Sequence, residues 1–285
     1  MPFAEQVHGP GHVSIYYDTF GHADQPCLLL VNGMGSQCIN YADEWCHMFA
    51  DRGLFAVRYD NRDVGLSTKF DDFPSGPHGA AYTLEDMAAD GMVVLDAVGV
   101  KRAHVLGLSM GGAIVQLMAI EHPHRIITMT SVMSSTGEPQ YGQGSERALT
   151  LLLVPPAHDR DEYVQQWIDG QREWGSPEFA DEARWRHTAE RSFDRCFHPR
   201  GDARQFLAAI ATEPWAERLR TVTVPTLVIH GDRDTLIDIS GGRRTAELIP
   251  GARLEIIAGM GHDYPPQLWQ RWVDLEVDHI RRHTE

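Results

Sequence analysis

A glycine-framed serine, an aspartate and a histidine, in that chain order, are the residues of this sequence whose types could do chemistry together. Gly107-Leu108-Ser109-Met110-Gly111 follows the apolar run Ala103-His104-Val105-Leu106 and leads into a helical pattern over residues 112–121. Strand, G-x-S-x-G, helix is the arrangement in which a sharp turn lifts a serine oxygen clear of the sheet edge. The glycines answer a steric need, because a Cβ at position 107 or 111 would collide with neighbouring backbone. A serine hydroxyl is a weak nucleophile until a base takes its proton, and that base needs a carboxylate to orient it.

Both partners have candidates downstream. The apolar run Thr226-Leu227-Val228-Ile229 leads into His230-Gly231-Asp232-Arg233-Asp234, and a second run ending at Ala258 leads into Gly259-Met260-Gly261-His262-Asp263. Each set lies just past the C-terminal end of a strand, where open α/β sheets gather their sites. Among fifteen histidines, His262 is the candidate base, since it follows a glycine-flanked turn after a strand. His230 precedes the acid and is read as structural. Asp232, Asp234 and Asp238 compete for the acid. Asp234 is preferred, a few residues beyond the strand end, while Asp232 is placed to tether the turn through backbone hydrogen bonds. An oxyanion formed at the serine needs donors. The Met110 N–H at the start of the helix is one, and the Met34 N–H in the turn Asn32-Gly33-Met34-Gly35 is the other.

These residues need a scaffold, and the hydrophobic pattern supplies one. Residues 12–19 alternate apolar and polar, as a half-exposed strand does. Cys27–Val31 and Phe55–Tyr59 are short continuous apolar runs of the kind found in buried parallel strands. Further strands are expected at Ile126–Val132, 226–230 and 254–258. Thr83 caps a helix to about residue 98, with Asp86 three positions on as in a capping box, and residues 265–282 read as a closing amphipathic helix. A Pro/Gly-rich loop occupies residues 73–79. Strands alternating with helices predict an α/β fold: a mostly parallel sheet with helices on both faces. Residues 137–220 break the rhythm, with helical patterns such as 162–174 and 178–193 and no convincing buried strand. They divide the chain into a core of residues 1–136 and 221–285 and a helical insertion of residues 137–220, which holds Trp167, Trp174, Trp185 and Trp215 of the seven tryptophans.

Composition narrows the field further. With 285 residues, 42% of them hydrophobic, the chain can bury a sizeable core, and its net charge of -15 repels nucleic acid and anionic membrane surfaces. Cys27, Cys38, Cys46 and Cys196 are too sparse for a disulfide framework. Cys27 reads as core, and Cys38 and Cys46 as free thiols on a loop and a helix. The first residues lack the basic-then-apolar pattern of a secretory signal, and no apolar run approaches the roughly eighteen residues of a membrane span. The expectation is a reduced, cytoplasmic protein, with a homodimer left open as its oligomeric state.

Tyr59-Asp60-Asn61-Arg62-Asp63-Val64-Gly65-Leu66-Ser67, Tyr82-Thr83-Leu84-Glu85-Asp86-Met87-Ala88 and Gly259-Met260-Gly261-His262, taken with Ser109 and Asp234, resemble the α/β-hydrolase superfamily over nearly the whole chain. They are most similar to its lipase/esterase group that includes aclacinomycin methylesterase. The resemblance implies hydrolysis of carboxylic esters, here of small or medium apolar substrates through an acyl-enzyme, with no cofactor and a helical cap over the site; no metal is expected. Two positions depart from the group: Asn32-Gly33 stands where many members carry His-Gly, and Asp238 where relatives often have proline. Ser109 argues against the dehalogenase and epoxide-hydrolase relatives, which use an aspartate nucleophile. C–C bond hydrolysis, lactone hydrolysis and cofactor-free perhydrolysis of the haloperoxidase kind would use the same residues. A small-molecule receptor without catalysis is the rival of a different class. Trp167, Trp174 and Trp185 are expected to roof an apolar substrate pocket; Asp60 and Arg62 invite a substrate-binding reading, but an ion pair pinning the loop beside the site is preferred.

Overall fold

Every residue of Cys27–Val31 is buried, and this run forms β3 at the centre of the molecule. A computed structural model describes residues 2–6, 12–72 and 79–283. Most of the Pro/Gly-rich loop (73–78), His8 and His78 lie outside the described residues. Eight strands make one sheet: β1 (Phe3–Gln6), β2 (Val13–Phe20), β3, β4 (Phe55–Tyr59), β5 (Ala103–Leu108), β6 (Ile126–Val132), β7 (Thr226–Gly231) and β8 (Arg253–Ile257). Their spatial order is β1-β2-β4-β3-β5-β6-β7-β8. Pairing is antiparallel from β1 to β2 and from β2 to β4 and parallel elsewhere. β1 is not foreseen in the sequence, because four residues are too few to reveal an alternation.

Successive side chains of a strand point to opposite faces, and the central strands therefore feed two separate cores. Leu29 and Val31 pack with α2 (Leu84–Ala97) and α3 (Met110–Glu121). Leu28 and Leu30 pack with Trp45 and Phe49 of α1 (Asp43–Ala50) and Trp272 and Val277 of α9 (Pro266–Arg281). Trp45 and Trp272 are fully enclosed, and truncating either to alanine would cost about 3–5 kcal/mol. The α2 capping box is present: the Thr83 N–H donates to the Asp86 carboxylate at 2.8 Å, and the Asp86 N–H returns a bond to the Thr83 hydroxyl.

Between β6 and β7 the described residues contain helices and no strand: α4 (Glu146–Leu152), α5 (Arg160–Trp174), α6 (Glu182–Arg195) and α7 (Arg200–Ala211). Asp159 caps α5 and Asp181 caps α6, each accepting a backbone N–H from three residues on. α8 (Ser240–Leu248) joins β7 to β8. No helix among the described residues is long and apolar enough to cross a membrane, and all four cysteines are unpaired.

Candidate active site

Ser109 sits between β5 and α3 with φ 56° and ψ -120°. A non-glycine residue in the left-handed region carries strain of about 1–3 kcal/mol and persists only where its surroundings enforce it. The enforcing contacts are backbone to backbone. A Cβ on Gly107 would overlap the Gly111 carbonyl, and one on Gly111 would overlap the Val31 carbonyl. The Ser109 N–H is tied to the Val132 carbonyl at 2.9 Å, which leaves the half-buried hydroxyl at the sheet edge.

Asp234 follows β7 in a turn that its own side chain closes. One carboxylate oxygen accepts the N–H groups of Leu236 and Ile237 at 2.9 and 2.8 Å. The other accepts from Nδ1 of His262 at 2.7 Å. His230, read as structural, lies 3.5 Å from the same oxygen while its Nε2 faces the Ile237 carbonyl at 2.8 Å. Burial alone would raise the Asp234 pKa. The His262 and His230 rings outweigh it and hold the group at about 2, below its ordinary 3.8. The two competing acids do other work. Asp232 is exposed and accepts the Gly259 N–H at 2.8 Å, tethering the turn of the base. Asp238 accepts the Ser240 N–H at 2.7 Å at the head of α8.

With Nδ1 committed to Asp234, the His262 Nε2 is the ring atom left for another partner. Among the described residues no hydrogen bond joins that ring to Ser109. The backbone of His262 is fixed from outside the sheet, its N–H donating to the Trp174 carbonyl at 2.5 Å. Ser176 adds a second tie that sequence reasoning missed. Its hydroxyl donates to Asp263 at 2.5 Å and accepts the Gly261 N–H at 2.9 Å. No spacing rule links residue 176 to residue 263, so only the fold reveals it.

The turn after β3 lies against the serine: a Cβ on Gly33 would stand 3.7 Å from the Ser109 hydroxyl oxygen. Asn32 is buried and spends its amide on the Gln37 carbonyl at 3.0 Å. Within the turn the Ser36 N–H bonds to the Gly33 carbonyl and the Gly35 N–H to the Gln205 side chain of α7. The Met34 N–H takes part in neither. Met110 is the first residue of α3, where a backbone N–H has no intrahelical acceptor.

Asp60 and Arg62 do not pair with each other, contrary to the sequence expectation. Asp60 takes Arg195 of α6 at 2.8 Å and the backbone N–H groups of Cys38 and Leu66. Arg62 grips Asp90 of α2 through two 2.7 Å bonds. Side chains at i and i+2 of this loop diverge, and each finds its partner on a different helix. Trp167 and Trp185 pack with Val164, Ile168 and Ala189 in the seam between α5 and α6, and the Trp174 ring covers Gly170. All three tryptophans are half-buried. Among the described residues no group of acidic, histidine and cysteine side chains is arranged to hold a metal ion.

A family model described as "alpha/beta hydrolase fold" matches residues 26–264. The chain is 28% identical to rhodomycin D methylesterase DauP of Streptomyces sp. (strain C5), covering 95% of this chain and 96% of that protein. It is 26% identical to 3-oxoadipate enol-lactonase 2 of Acinetobacter baylyi, covering 86% and 85%. Among solved structures it superimposes on a hydrolase from Pseudomonas aeruginosa PA01 with a TM-score of 0.75, at 28% identity and 98% coverage of both chains.

Proposed function

The chain belongs to the α/β-hydrolase fold family, and from that premise we propose that it is a serine esterase of small carboxylic esters. The observation that carries the proposal is the 2.7 Å contact of Asp234 with His262 Nδ1, which orients the imidazole with Nε2 as its free base. In the proposed reaction Nε2 removes the Ser109 proton as the hydroxyl oxygen attacks the ester carbonyl. Asp234 keeps the proton on Nδ1 and stabilises the imidazolium, and the N–H groups of Met34 and Met110 bind the oxyanion. Collapse of the tetrahedral species expels the alcohol, which takes its proton from His262. Water, deprotonated by the same ring, then releases the acid from the acyl-enzyme.

The methylesterase and enol-lactonase relatives support an open or cyclic ester as substrate. We read residues 137–220 as a cap over a core of 1–136 and 221–285, with Trp167, Trp174 and Trp185 shaping its apolar side. Four unpaired thiols and a net charge of -15 favour a reducing compartment such as the cytoplasm and a small molecule, not nucleic acid, as partner.

A panel of p-nitrophenyl esters of increasing length, run beside lactones and a C–C bond substrate, tests the reading. Ser109→Ala should lower kcat on the best ester by at least about 10⁴-fold, since loss of a catalytic serine removes the whole nucleophilic pathway. Retention of more than a hundredth of the activity, with the fold intact, would refute the assignment of the nucleophile.

A further inference from the structure

The turn that carries the Met34 N–H has glycine on either side of that residue, and its shape needs support from outside. The Ser36 N–H donates to the Gly33 carbonyl at 3.3 Å, and Gly35 has φ 69°. Among the described non-glycine residues only Asp63, Ser109 and Met133 have positive φ, so that of Met34 is negative. Together these define a type II turn over Gly33–Ser36. A trans peptide points its C=O and N–H in opposite directions. With the Gly33 carbonyl turned inward to Ser36, the Met34 N–H of the same peptide unit points out of the turn. It does so beside the nucleophile, since a Cβ on Gly33 would stand 3.7 Å from Ser109 Oγ.

Types I and II differ in the orientation of the central peptide, here Met34–Gly35, and a glycine at the third position admits both. Gln205 of α7 chooses between them. Its side-chain oxygen accepts the Gly35 N–H and its amide nitrogen donates to the Arg62 carbonyl, both at 2.8 Å. The two partners leave the carboxamide one orientation. A flipped peptide would turn the Met34 carbonyl toward the Gln205 oxygen and leave a fully buried acceptor without its donor.

The clamp is anchored at its far end. Arg62 is locked to Asp90 by two 2.7 Å bonds, and α7 is seated on the same loop. The Arg204 guanidinium binds both carboxylate oxygens of Asp63 at 2.7 and 2.9 Å, and a Cβ on Gly201 would overlap the Asp63 carbonyl. The end of the turn is tied separately: Asn32 Nδ2 donates to the Gln37 carbonyl, and Gln37 Nε2 to the carbonyls of Ser192 and Cys196. None of those bonds reaches the central peptide.

We propose that Gln205 is a positioning residue of the oxyanion site. By accepting the Gly35 N–H it holds the turn in the form that aims the Met34 N–H at the oxygen of the carbonyl attacked by Ser109. The inference rests on the esterase reading and adds to it a residue that acts through the turn. A donor aimed in advance needs no reorganisation as charge develops, so Gln205 acts on the chemical step and not on ground-state binding.

The test compares Gln205→Leu, which removes both bonds, with Gln205→Glu, which keeps an acceptor for the Gly35 N–H in either protonation state. On the best p-nitrophenyl ester, Gln205→Leu should lower kcat by about 10- to 100-fold and leave KM within about threefold, less than the loss of an oxyanion donor outright. Gln205→Glu should stay within about fivefold of the wild type. The readout that packing alone would not move is a pair of ketones of matched chain length. In a trifluoromethyl ketone Ser109 Oγ adds to the carbonyl carbon, its proton passes to His262, and the carbonyl oxygen takes the electron pair as an oxyanion. The Ki of that ketone should rise by the factor by which kcat/KM falls, while the methyl ketone, bound without addition, changes by less than about threefold. Should Gln205→Leu fail to fold, Gln205→Asn, one methylene short of Gly35, takes its place with the same expectations.

A lower Tm with kcat and trifluoromethyl-ketone affinity unchanged would overturn the proposal. So would equal losses for both ketones, or a loss in Gln205→Glu as large as in Gln205→Leu. If the wild type hydrolyses no ester, the esterase reading falls by itself, and the rise in Tm caused by the trifluoromethyl ketone over the methyl ketone decides. A rise that Ser109→Ala and Gln205→Leu both reduce would uphold the positioning role. No rise in the wild type, or one that Gln205→Leu leaves unchanged, would refute it.

Discussion

At the strand ends, main chain lies against main chain. A Cβ on Gly107, Gly111 or Gly231 would overlap a backbone carbonyl from a neighbouring turn, and Ser109 is held at φ 56° by that crowding. From α4 to α7 side chains carry more of the contacts, beside main-chain ties such as that of Trp174 to His262. The buried apolar cluster between α5 and α6 has only Val164, Ile168 and Ala189 at its centre, and Leu149, Leu153, Val154 and Ile210 stand exposed. Polar side chains help to join these helices to the core, Arg195 to Asp60, Gln205 to Gly35 and Arg62, Ser176 to Asp263, beside the buried Ala208 of α7. Backbone crowding cannot be relaxed by a rotamer change, whereas a side-chain clamp can be exchanged for another. Reacting groups belong on the first kind of support, and selectivity can evolve on the second.

The contrast breaks most visibly at Gly111. Gly111→Ala should leave little soluble folded protein, because the added methyl runs into the Val31 carbonyl. A native circular-dichroism spectrum and an unchanged Tm for that variant would show that the elbow is softer than described. At the next level, Asp234→Asn should lower kcat by about 10⁴-fold through loss of the correct imidazole tautomer. Asp232→Asn, whose side-chain hydrogen bond is to the Gly259 N–H, should cost less than about tenfold; the reverse order at equal stability would exchange their roles. The same acid leaves a mark on stability. Because its folded pKa of about 2 lies below the ordinary 3.8, its contribution is in force above pH ~4 and is lost as pH falls toward about 2. Urea titrations should therefore show a flatter acid limb in Asp234→Asn than in the wild type.

The smallest effect is expected among the helices. Trp185→Ala should change the rate on p-nitrophenyl acetate by less than about tenfold while shifting the relative kcat/KM among longer esters. A lower Tm with an unaltered chain-length profile would reduce Trp185 to packing between α5 and α6, and the comparison would lose its claim about selectivity.

Most of the sheet is legible in the sequence because buried parallel strands announce themselves as unbroken apolar runs; β3, β4 and β6 fall on the expected residues. β8 begins one residue earlier than expected, at Arg253, where a charged side chain on an edge strand hides the pattern. Ser109, Asp234 and His262 stand out because each follows an apolar run at a glycine-marked turn, and the structure brings the last two into contact. The partners of Asp60 and Arg62 do not stand out. Arg195 and Asp90 lie on helices separated from them by 135 and 28 residues, and an ion pair between distant elements leaves no period to read.

The tie between the His262 N–H and the Trp174 carbonyl bears on how such proteins can be recombined. The end of α5 and the loop of the base are, through that bond and Ser176, one mechanical unit spread over two stretches of chain. A chimaera that imports a foreign helical segment would inherit a hinge shaped for another protein's histidine loop. Residues 174–176 and 259–263 should travel together or both stay behind, whatever boundary the loops between β6 and β7 suggest.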